Sequence, residues 1–287
     1  MKPIIKYQGG KTRELPLIRK LLPNKYDTVL EPFAGGAAVS FDLGHRCILN
    51  DMNDALINMY RQVAHPTKFQ EVFSHVAYLK TLEHDDLSVE YYKARDYINS
   101  NRRDPYEWAV SYITVRQLCF SGMERYNKSG KFNVPFGHYK KFGCNLDWNH
   151  MKFLHQSGSS IYHGDFAPIF DMATEDDFIF IDPPYLDRLG YAHGNDTLHS
   201  RLVECMHKTK AKWLFIHTKH DFYMDTLWEY NIMFRPHGYS QRFGKNRDHS
   251  GAQVEHMYVT NYEDDMTLHR VSNSSLQNLL DHDRIGA

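Results

Sequence analysis

The sequence has few cysteines, and their spacing fits neither a metal site nor a redox pair. The four are Cys47, Cys119, Cys144 and Cys205, and no two form a CxxC pair. Zinc knuckles and disulfide frameworks need closely spaced or recurring cysteines, so the sequence disfavours both and favours a reducing compartment. We therefore predict a protein without a metal ion.

Long apolar runs and an excess of charge are also lacking. The first ten residues, MKPIIKYQGG, do not contain the apolar stretch of a signal peptide, and no later run is long enough to span a bilayer. The formal net charge is -1, so the molecule as a whole has no field that would attract a polyanion. These absences predict a cytoplasmic protein that does not enter a membrane, and they require any nucleic-acid interface to be a local patch.

Short apolar runs bounded by turn residues predict buried strands. The runs are TVLEPF (28–33), CILND (47–51), DFIFID (177–182), KWLFIHT (212–218) and HMYVTNY (256–262). Helix-like segments follow the first three, namely GGAAVSFDLG, NDALINMYRQVA and TLHSRLVECMHKT. Strands that alternate with helices predict an α/β fold with a mixed, mostly parallel sheet and helices on both faces.

One region interrupts this alternation. From 54 to about 119 the pattern predicts consecutive helices, and the segment after them, SGMERYNKSGKFNVPFGHYKK, has the turn NKSGK between two short extended runs. Such a turn predicts a hairpin. We predict a core formed by 1–53 and 158–265, an inserted helical and hairpin module at 54–157, and a peripheral tail at 266–287.

The segment KYQGGKT, residues 6–12, contains the GKT of a phosphate-binding loop. A Walker loop has a glycine five residues before its GK pair, and that position is Ile5. The segment is therefore not predicted to bind a nucleoside triphosphate.

A second glycine-rich segment, EPFAGGAAV at 31–39, follows the first predicted strand. Glycines at such a turn let the backbone approach a ligand closely, and the following helix N-terminus presents free N–H groups. The segment is not GxGxxG, so a dinucleotide site is poorly supported. Asp51 ends the next strand, where a carboxylate either accepts both hydroxyls of a ribose or only caps the following helix.

The segment IDPPY, 181–185, ends the third predicted strand. Asp182 and the Pro183 carbonyl are hydrogen-bond acceptors, the two prolines stiffen the loop, and the Tyr185 ring offers a stacking face. An exocyclic amine on a nucleobase is a poor nucleophile because its lone pair is delocalised, and two acceptors on its N–H groups favour a pyramidal, reactive nitrogen. The alternative is a plain strand-ending turn.

The stretch from Arg125 to Lys141 carries five basic residues and no Asp or Glu. In a neutral protein this is a local basic patch that suits DNA phosphates, and the interleaved Phe120, Tyr126, Phe132 and Tyr139 could stack or wedge. The alternative is a solvated basic hairpin.

In this order, KYQGGK, EPFAGGAA, the inserted module and DPPY resemble the Dam-type DNA adenine-N6 methyltransferases, which use S-adenosylmethionine. RYNKSGKFNVPFGHYKK is similar to that family's recognition sequence, and VTNYE to its closing strand, so the resemblance covers about residues 6–263. It implies a Rossmann-like S-adenosylmethionine-dependent methyltransferase core with an inserted helical and β-hairpin target-recognition module.

The resemblance also implies which residues form the sites. Asp182, Pro183, Pro184 and Tyr185 would hold an adenine flipped out of the duplex, and Arg125 would contact guanine in the major groove. The cofactor residues would be Tyr7, Lys11, Glu31, Phe33, Ala34, Gly35, Asp51, Asp165, Phe166 and Asp182. The DNA-binding residues would be Phe120, Ser121, Met123, Arg125, Asn127, Lys128, Pro135, Tyr139, Lys140 and Lys141. Double-stranded DNA is the implied partner, in a bacterial or phage-infected cell, with a cognate restriction endonuclease as a candidate second partner.

Some positions depart from the family pattern. Ala37 stands where the family usually has Gly or Ser, Tyr7 replaces Trp, and Gln117, Cys119 and the segment LDRLGYAHGND after DPPY also differ. Because several of these positions lie near the residues that would recognise DNA, GATC is the favoured target sequence but does not follow from the motifs. Cytosine-N4 methylation and a catalytically inactive DNA-binding regulator remain as alternatives.

Overall fold

A computed structural model describes residues 1–156, 158–186, 195–238 and 253–263. The predicted tail at 266–287 lies outside the described residues. The chain divides into two compact units, 1–19 with 27–172 and 20–26 with 173–287. The functional division into a core at 1–53 and 158–265 and a module at 54–157 stays a prediction.

The first unit contains three strands and most of the helices in the described part of the chain. The strands are β1 Val29–Glu31, β2 Cys47–Asp51 and β3 Ser160–His163, and they pair in parallel in the order β3-β2-β1. The helices are α1 Leu15–Ile18, α2 Ala38–Leu43, α3 Asp54–Ala64, α4 Pro66–Thr81, α5 His84–Ile98, α6 Pro105–Leu118, α7 Trp148–Gln156 and α8 Ala167–Asp171, with short 3-10 turns at Lys11–Arg13 and Phe120–Gly122. The predicted run of consecutive helices is confirmed as α3 to α6.

Helices α3 and α6 begin at clear local signals. The Asn53 side chain accepts the Leu56 N–H at 3.0 Å and caps α3, and the Asp104 side chain caps α6 just before Pro105. From Ala109 onwards every residue of α6 is buried, and the helix packs against α3, α4 and α5. Helix α6 is therefore central to the helices of the first unit and fixes the segment that follows it.

The second unit has four described strands. They are β4 Phe178–Ile181, β5 Lys212–Thr218, β6 Asn231–Gly238 and β7 Gln253–Thr260, with helices α9 Asn195–Lys208 and α10 Asp221–Thr226. Strands β4 and β5 pair in parallel, and β7 pairs antiparallel with both β5 and β6. The expected α/β class, with parallel strands followed by helices and a mixed sheet, is confirmed.

Two strands escaped sequence analysis because both are edge strands. Strand β3 is only partly buried, so SIYH shows no apolar run. Strand β6 contains Pro236, which a sheet tolerates at an edge because that residue's missing N–H faces no partner strand.

Among the helices that the structure describes, none combines the length and the apolar composition that crossing a bilayer requires.

Candidate active site

The glycine-rich turn after β1 lies directly against Tyr7. Gly35 has φ +46°, and a Cβ placed on it would lie only 2.8 Å from Cε1 of Tyr7. The turn is fixed from two sides, because the Ala34 N–H donates to the Asn50 carbonyl at 2.8 Å and the Tyr60 hydroxyl donates to the Gly35 carbonyl at 2.8 Å. Only glycine fits this position, both for its backbone angle and for its contact with the ring.

The carboxylate of Asp51 is held in place by two backbone donors. The Gly35 N–H donates to Oδ2 and the Asn53 N–H to Oδ1, both at 2.9 Å. Burial raises the pKa of Asp51, and these two hydrogen bonds oppose that rise. A carboxylate offers about four acceptor positions, so Asp51 keeps acceptor capacity for a ligand.

Two phenylalanine rings lie beside this carboxylate's strand. The ring centroids of Phe33 and Phe166 are 5.2 Å apart at an interplanar angle of 33°. The Asn50 side chain joins their loops, because its amide donates to the Pro32 carbonyl at 3.0 Å and to the Gly164 carbonyl at 2.9 Å. A pair of aromatic rings in the loops on either side of the strand that ends at a fixed carboxylate suits a nucleoside, with the base on the rings and the ribose hydroxyls on the acid.

The GGK segment forms a tight turn instead of a phosphate cradle. The Gly10 N–H donates to the Tyr7 carbonyl at 3.1 Å, and the buried Lys11 donates from Nζ to the Gly9 carbonyl at 2.9 Å. Glu31 is also buried, and its Oε1 accepts the Ser40 N–H of α2 at 2.7 Å. Glu31 therefore supports the glycine-rich turn through the helix that follows it. The loop carboxylate of Asp165 accepts the Ala167 N–H at 2.9 Å.

The segment predicted to recognise DNA begins with an exposed aromatic residue on a strained turn. Phe120 is 42 % exposed, and the next residue, Ser121, has φ +54°. The Phe120 N–H donates to the Pro135 carbonyl at 2.9 Å, and the Gly137 N–H donates to the Leu118 carbonyl at 2.7 Å. These bonds hold Phe120 at the surface of the first unit.

The predicted hairpin is confirmed around Asn127. Tyr126 and Phe132 form an antiparallel bridge, and the Asn127 side chain accepts the Lys131 N–H at 2.9 Å across the turn. Asn127 therefore shapes the hairpin turn. Arg125 is exposed and donates from Nε to the Asn133 side chain at 2.8 Å.

The basic residues of the segment remain on the surface. Lys128, Lys140 and Lys141 are exposed, and none of them pairs with a carboxylate in the part of the chain that the structure describes. Lys6 lies with Nζ 3.8 Å from the centroid of the Tyr139 ring. Pro135 is exposed and Met123 is partly buried. This surface provides cations and aromatic faces together, as a nucleic-acid interface requires.

Sequence analysis did not identify Arg116, which organises the start of this segment. Its side chain is 1 % exposed, donates to the carbonyls of Lys6, Gly122 and Met123 at 3.1–3.3 Å, and pairs with Oε2 of Glu124 at 3.3 Å. Nothing in the sequence of α6 distinguishes a buried arginine with several partners from an arginine on the surface.

Glu124 extends this network to the end of β2. Its Oε1 accepts the Asn53 side-chain amide at 3.2 Å and the Tyr126 hydroxyl at 2.9 Å. Asn53 also donates its backbone N–H to Asp51. Continuous hydrogen bonds therefore join Asp51, the predicted ribose acceptor, to the hairpin that is predicted to recognise DNA.

In the second unit, DPPY stands directly after the fully buried strand β4, as predicted. Asp182 is partly buried, Pro183 is buried, Pro184 is exposed and Tyr185 is 8 % exposed. The Tyr185 ring contacts two buried histidines, with its centroid 4.8 Å from that of His217 and 5.7 Å from that of His256. The structure thus holds the tyrosine in a defined orientation.

These features define the class of the protein. A glycine turn that permits close approach, a fixed acid beside two aromatic rings, a basic hairpin and a strand-ending DPPY segment are together typical of the nucleic-acid methyltransferases, a class of α/β enzymes.

The family model described as D12 class N6 adenine-specific DNA methyltransferase matches residues 7–234. The chain belongs to this family, and the resemblance inferred from its motifs is confirmed. The protein is an adenine-specific DNA methyltransferase. This assignment favours adenine-N6 methylation over cytosine-N4 methylation, and an active enzyme over an inactive DNA-binding regulator.

Several curated proteins are similar to this chain. The type II methyltransferase M.CviBI of Paramecium bursaria Chlorella virus NC1A is 33% identical over 276 residues, which cover 91% of this chain and 100% of that protein. The DNA adenine methylase of Haemophilus influenzae is 32% identical over 188 residues, 64% of each chain. The DNA N-6-adenine-methyltransferase of Escherichia phage P1 is 35% identical over 184 residues, 63% of this chain and 24% of that protein.

Proposed function

We propose that the protein transfers a methyl group from S-adenosylmethionine to N6 of an adenine flipped out of duplex DNA, with GATC as the favoured site. Family membership supports the reaction class. The observation that carries the choice of cofactor is the fixed Asp51 carboxylate beside the Phe33–Phe166 ring pair, because this combination suits a nucleoside.

S-adenosylmethionine supplies its methyl group as an electrophilic carbon on a sulfonium. Asp51 accepts the ribose hydroxyls, and Phe33 and Phe166 contact the adenine ring of the cofactor. The missing side chain of Gly35 lets the turn lie against the Tyr7 ring, and this contact supports the backbone of the turn that faces the cofactor. The remaining predicted contacts of the cofactor are Lys11, Glu31, Ala34, Asp165 and Asp182.

The DPPY segment acts on the target base. Asp182 and the Pro183 carbonyl accept hydrogen bonds from the two amine N–H groups, which makes the nitrogen lone pair available to attack the methyl carbon. Tyr185 stacks on the flipped adenine, and the edge contacts of its ring with His217 and His256, which fix its orientation, support this role. Fixed acceptors cost no reorganisation when the reaction occurs, so they favour the transition state over the ground state.

The hairpin reads the DNA. Arg125 contacts a guanine edge in the major groove, Phe120 wedges beside the flipped base, and Lys128, Lys140 and Lys141 bind phosphates. The exposure of all five side chains supports these roles. Because the substrate is DNA, we place the reaction in the cytoplasm of a bacterial or phage-infected cell, with a restriction endonuclease as a candidate partner.

Transfer of a tritium-labelled methyl group to short duplexes tests this proposal. We expect label in a duplex containing GATC and none when its adenine is replaced. Asp182→Asn should abolish transfer while DNA binding is kept, and Asp177→Asn, in the loop before β4, should transfer normally. Normal transfer by Asp182→Asn would remove this carboxylate from the mechanism.

A further inference from the structure

A buried histidine of the second unit lies directly behind the DPPY segment. His217, near the end of β5, is 0% exposed. Its Nε2 accepts the N–H of Leu186, the residue after Tyr185, at 3.2 Å, and its Nδ1 lies 2.7 Å from the Thr218 carbonyl. The imidazole therefore connects β5 to the end of the DPPY loop.

These two contacts define the tautomer of the ring. A backbone N–H only donates and a carbonyl only accepts, so Nε2 must be unprotonated and Nδ1 must carry the hydrogen. A doubly protonated ring would bring an Nε2–H against the Leu186 N–H and break the contact. Only the neutral Nδ1–H form fits this site.

The ring is also packed tightly against its neighbours. Its centroid lies 4.8 Å from that of Tyr185 and 4.7 Å from that of Tyr223, and it stacks on Phe215 at an interplanar angle of 5°. Because the ring is held on several sides, it can in turn hold Tyr185.

The surroundings keep the ring neutral. Burial lowers the pKa of His217 to about 3, and the nearby His199, His220 and His256 act in the same direction, while the Thr218 carbonyl opposes them. The tyrosines Tyr185 and Tyr223 also face the ring. The contact with Leu186 is therefore present across the whole physiological pH range.

We propose that His217 is a positioning residue for methyl transfer, which fixes the exit of the DPPY loop and the ring of Tyr185 through its neutral Nδ1–H tautomer. It does not touch the adenine and acts through Tyr185 and Leu186. This inference rests on the proposed role of Tyr185 in stacking on the target base.

Two substitutions separate the hydrogen bond from the packing. His217→Phe keeps a ring beside Tyr185 but loses the acceptor for the Leu186 N–H, whereas His217→Gln keeps an acceptor at the position of Nε2. His207→Gln is the matched control, since His207 contacts Tyr230 and Glu229, away from the loop.

Because a misplacement of about 1 Å costs on the order of 100-fold, we expect His217→Phe to lower kcat by about 10- to 100-fold. The KM for S-adenosylmethionine and the Kd for DNA should stay within about twofold of wild type, because the cofactor and DNA residues are unchanged. His217→Gln should recover part of kcat, and His207→Gln should match wild type. An unchanged kcat in His217→Phe, or equal losses of kcat, cofactor binding and DNA binding in both His217 variants, would overturn the inference.

Nitrogen-15 NMR of the imidazoles in the wild-type protein is independent of how the variants fold. We expect the His217 signals to show a protonated Nδ1 and an unprotonated Nε2, and to stay unchanged between about pH 5.5 and 8.5. The opposite tautomer, or a titration in that range, would refute the assignment. Failure of the proposed function is distinct, because the wild-type protein itself would then transfer no methyl group.

Discussion

Replacing Gly35 with alanine tests whether the close approach between the glycine turn and Tyr7 builds the cofactor site. The new Cβ would lie 2.8 Å from Cε1 and 3.0 Å from Cδ1 of Tyr7. Real Cβ atoms do not tolerate such contacts with ring atoms, so the tyrosine ring has to move. The alanine would also have to adopt φ +46°, which is unfavourable for any residue with a Cβ.

The size of the effect follows from two contributions. The left-handed backbone costs about 1–2 kcal/mol, and overpacking against Tyr7 costs about 1–3 kcal/mol, so the free energy of unfolding should fall by about 2–5 kcal/mol. If the displaced ring loses its contact with the cofactor, aromatic stacking worth about 1–3 kcal/mol is lost, which corresponds to about 5- to 150-fold weaker binding.

Gly44→Ala is the matched control. Gly44 ends α2 with φ +70°, and a Cβ built there meets nothing within 4 Å. It therefore carries the backbone strain of about 1–2 kcal/mol without the contact. Urea unfolding gives the stability of both variants, and isothermal titration with S-adenosylhomocysteine, an unreactive product, gives the affinity.

We expect Gly35→Ala to lose more stability than Gly44→Ala and to be alone in losing cofactor affinity. Equal losses of stability with wild-type affinity in both variants would show that only the backbone angle matters. In that case Tyr7 would not support the cofactor site, and the reasoning from the 2.8 Å contact would be refuted.

Three further predictions address other parts of the first unit. Arg116→Ala should lower the free energy of unfolding, measured by urea denaturation, by about 3–5 kcal/mol, because Glu124 and three carbonyls lose their buried cationic partner. A loss below about 1 kcal/mol would contradict this. The affinity for S-adenosylhomocysteine should weaken as the pH falls, beginning above the ordinary pKa range of an aspartic acid, because burial raises the pKa of Asp51 and the protonated acid binds ribose poorly. The Asp51→Asn variant should bind weakly at every pH, and the same dependence of affinity on pH in both proteins would exclude Asp51 as the ribose acceptor. Arg125→Ala should weaken duplex binding by about 1–3 kcal/mol at one guanine position only. Lys128→Ala should instead weaken binding to all sequences and lower the slope of log affinity against log salt concentration by about 1. An equal loss of affinity for all sequences in Arg125→Ala would make Arg125 a phosphate contact.

Much of the fold could be predicted because its buried strands are short apolar runs. CILND and KWLFIHT match β2 and β5 residue for residue, since buried parallel strands show continuous hydrophobicity. The edge strands β3 and β6 could not be predicted, because an edge strand does not need an apolar run and tolerates proline. Helix bounds shifted by a few residues where caps decided them, as at Asn53.

The candidate site was predicted where its residues lie in contiguous motifs. DPPY, Asp51 and the hairpin around Asn127 could be placed from the sequence, because each follows a strand or forms a turn. Arg116 and His217 could not, because their roles depend on partners 110 and 31 residues away, the Lys6 carbonyl and the Leu186 N–H. Sequence patterns report local periodicity, and such long-range contacts leave no trace in them.

The most direct measurement is to map every modified base after incubation of the protein with S-adenosylmethionine and unmethylated DNA of mixed sequence. We expect N6-methyladenine within a short recognition sequence, with GATC favoured, and no product from Asp182→Asn. N6-methyladenine in another sequence would support the proposed mechanism of methyl transfer but require a revision of the sequence recognition proposed for Phe120 and Arg125. N4-methylcytosine, or bound DNA with no modified base, would contradict the central claim.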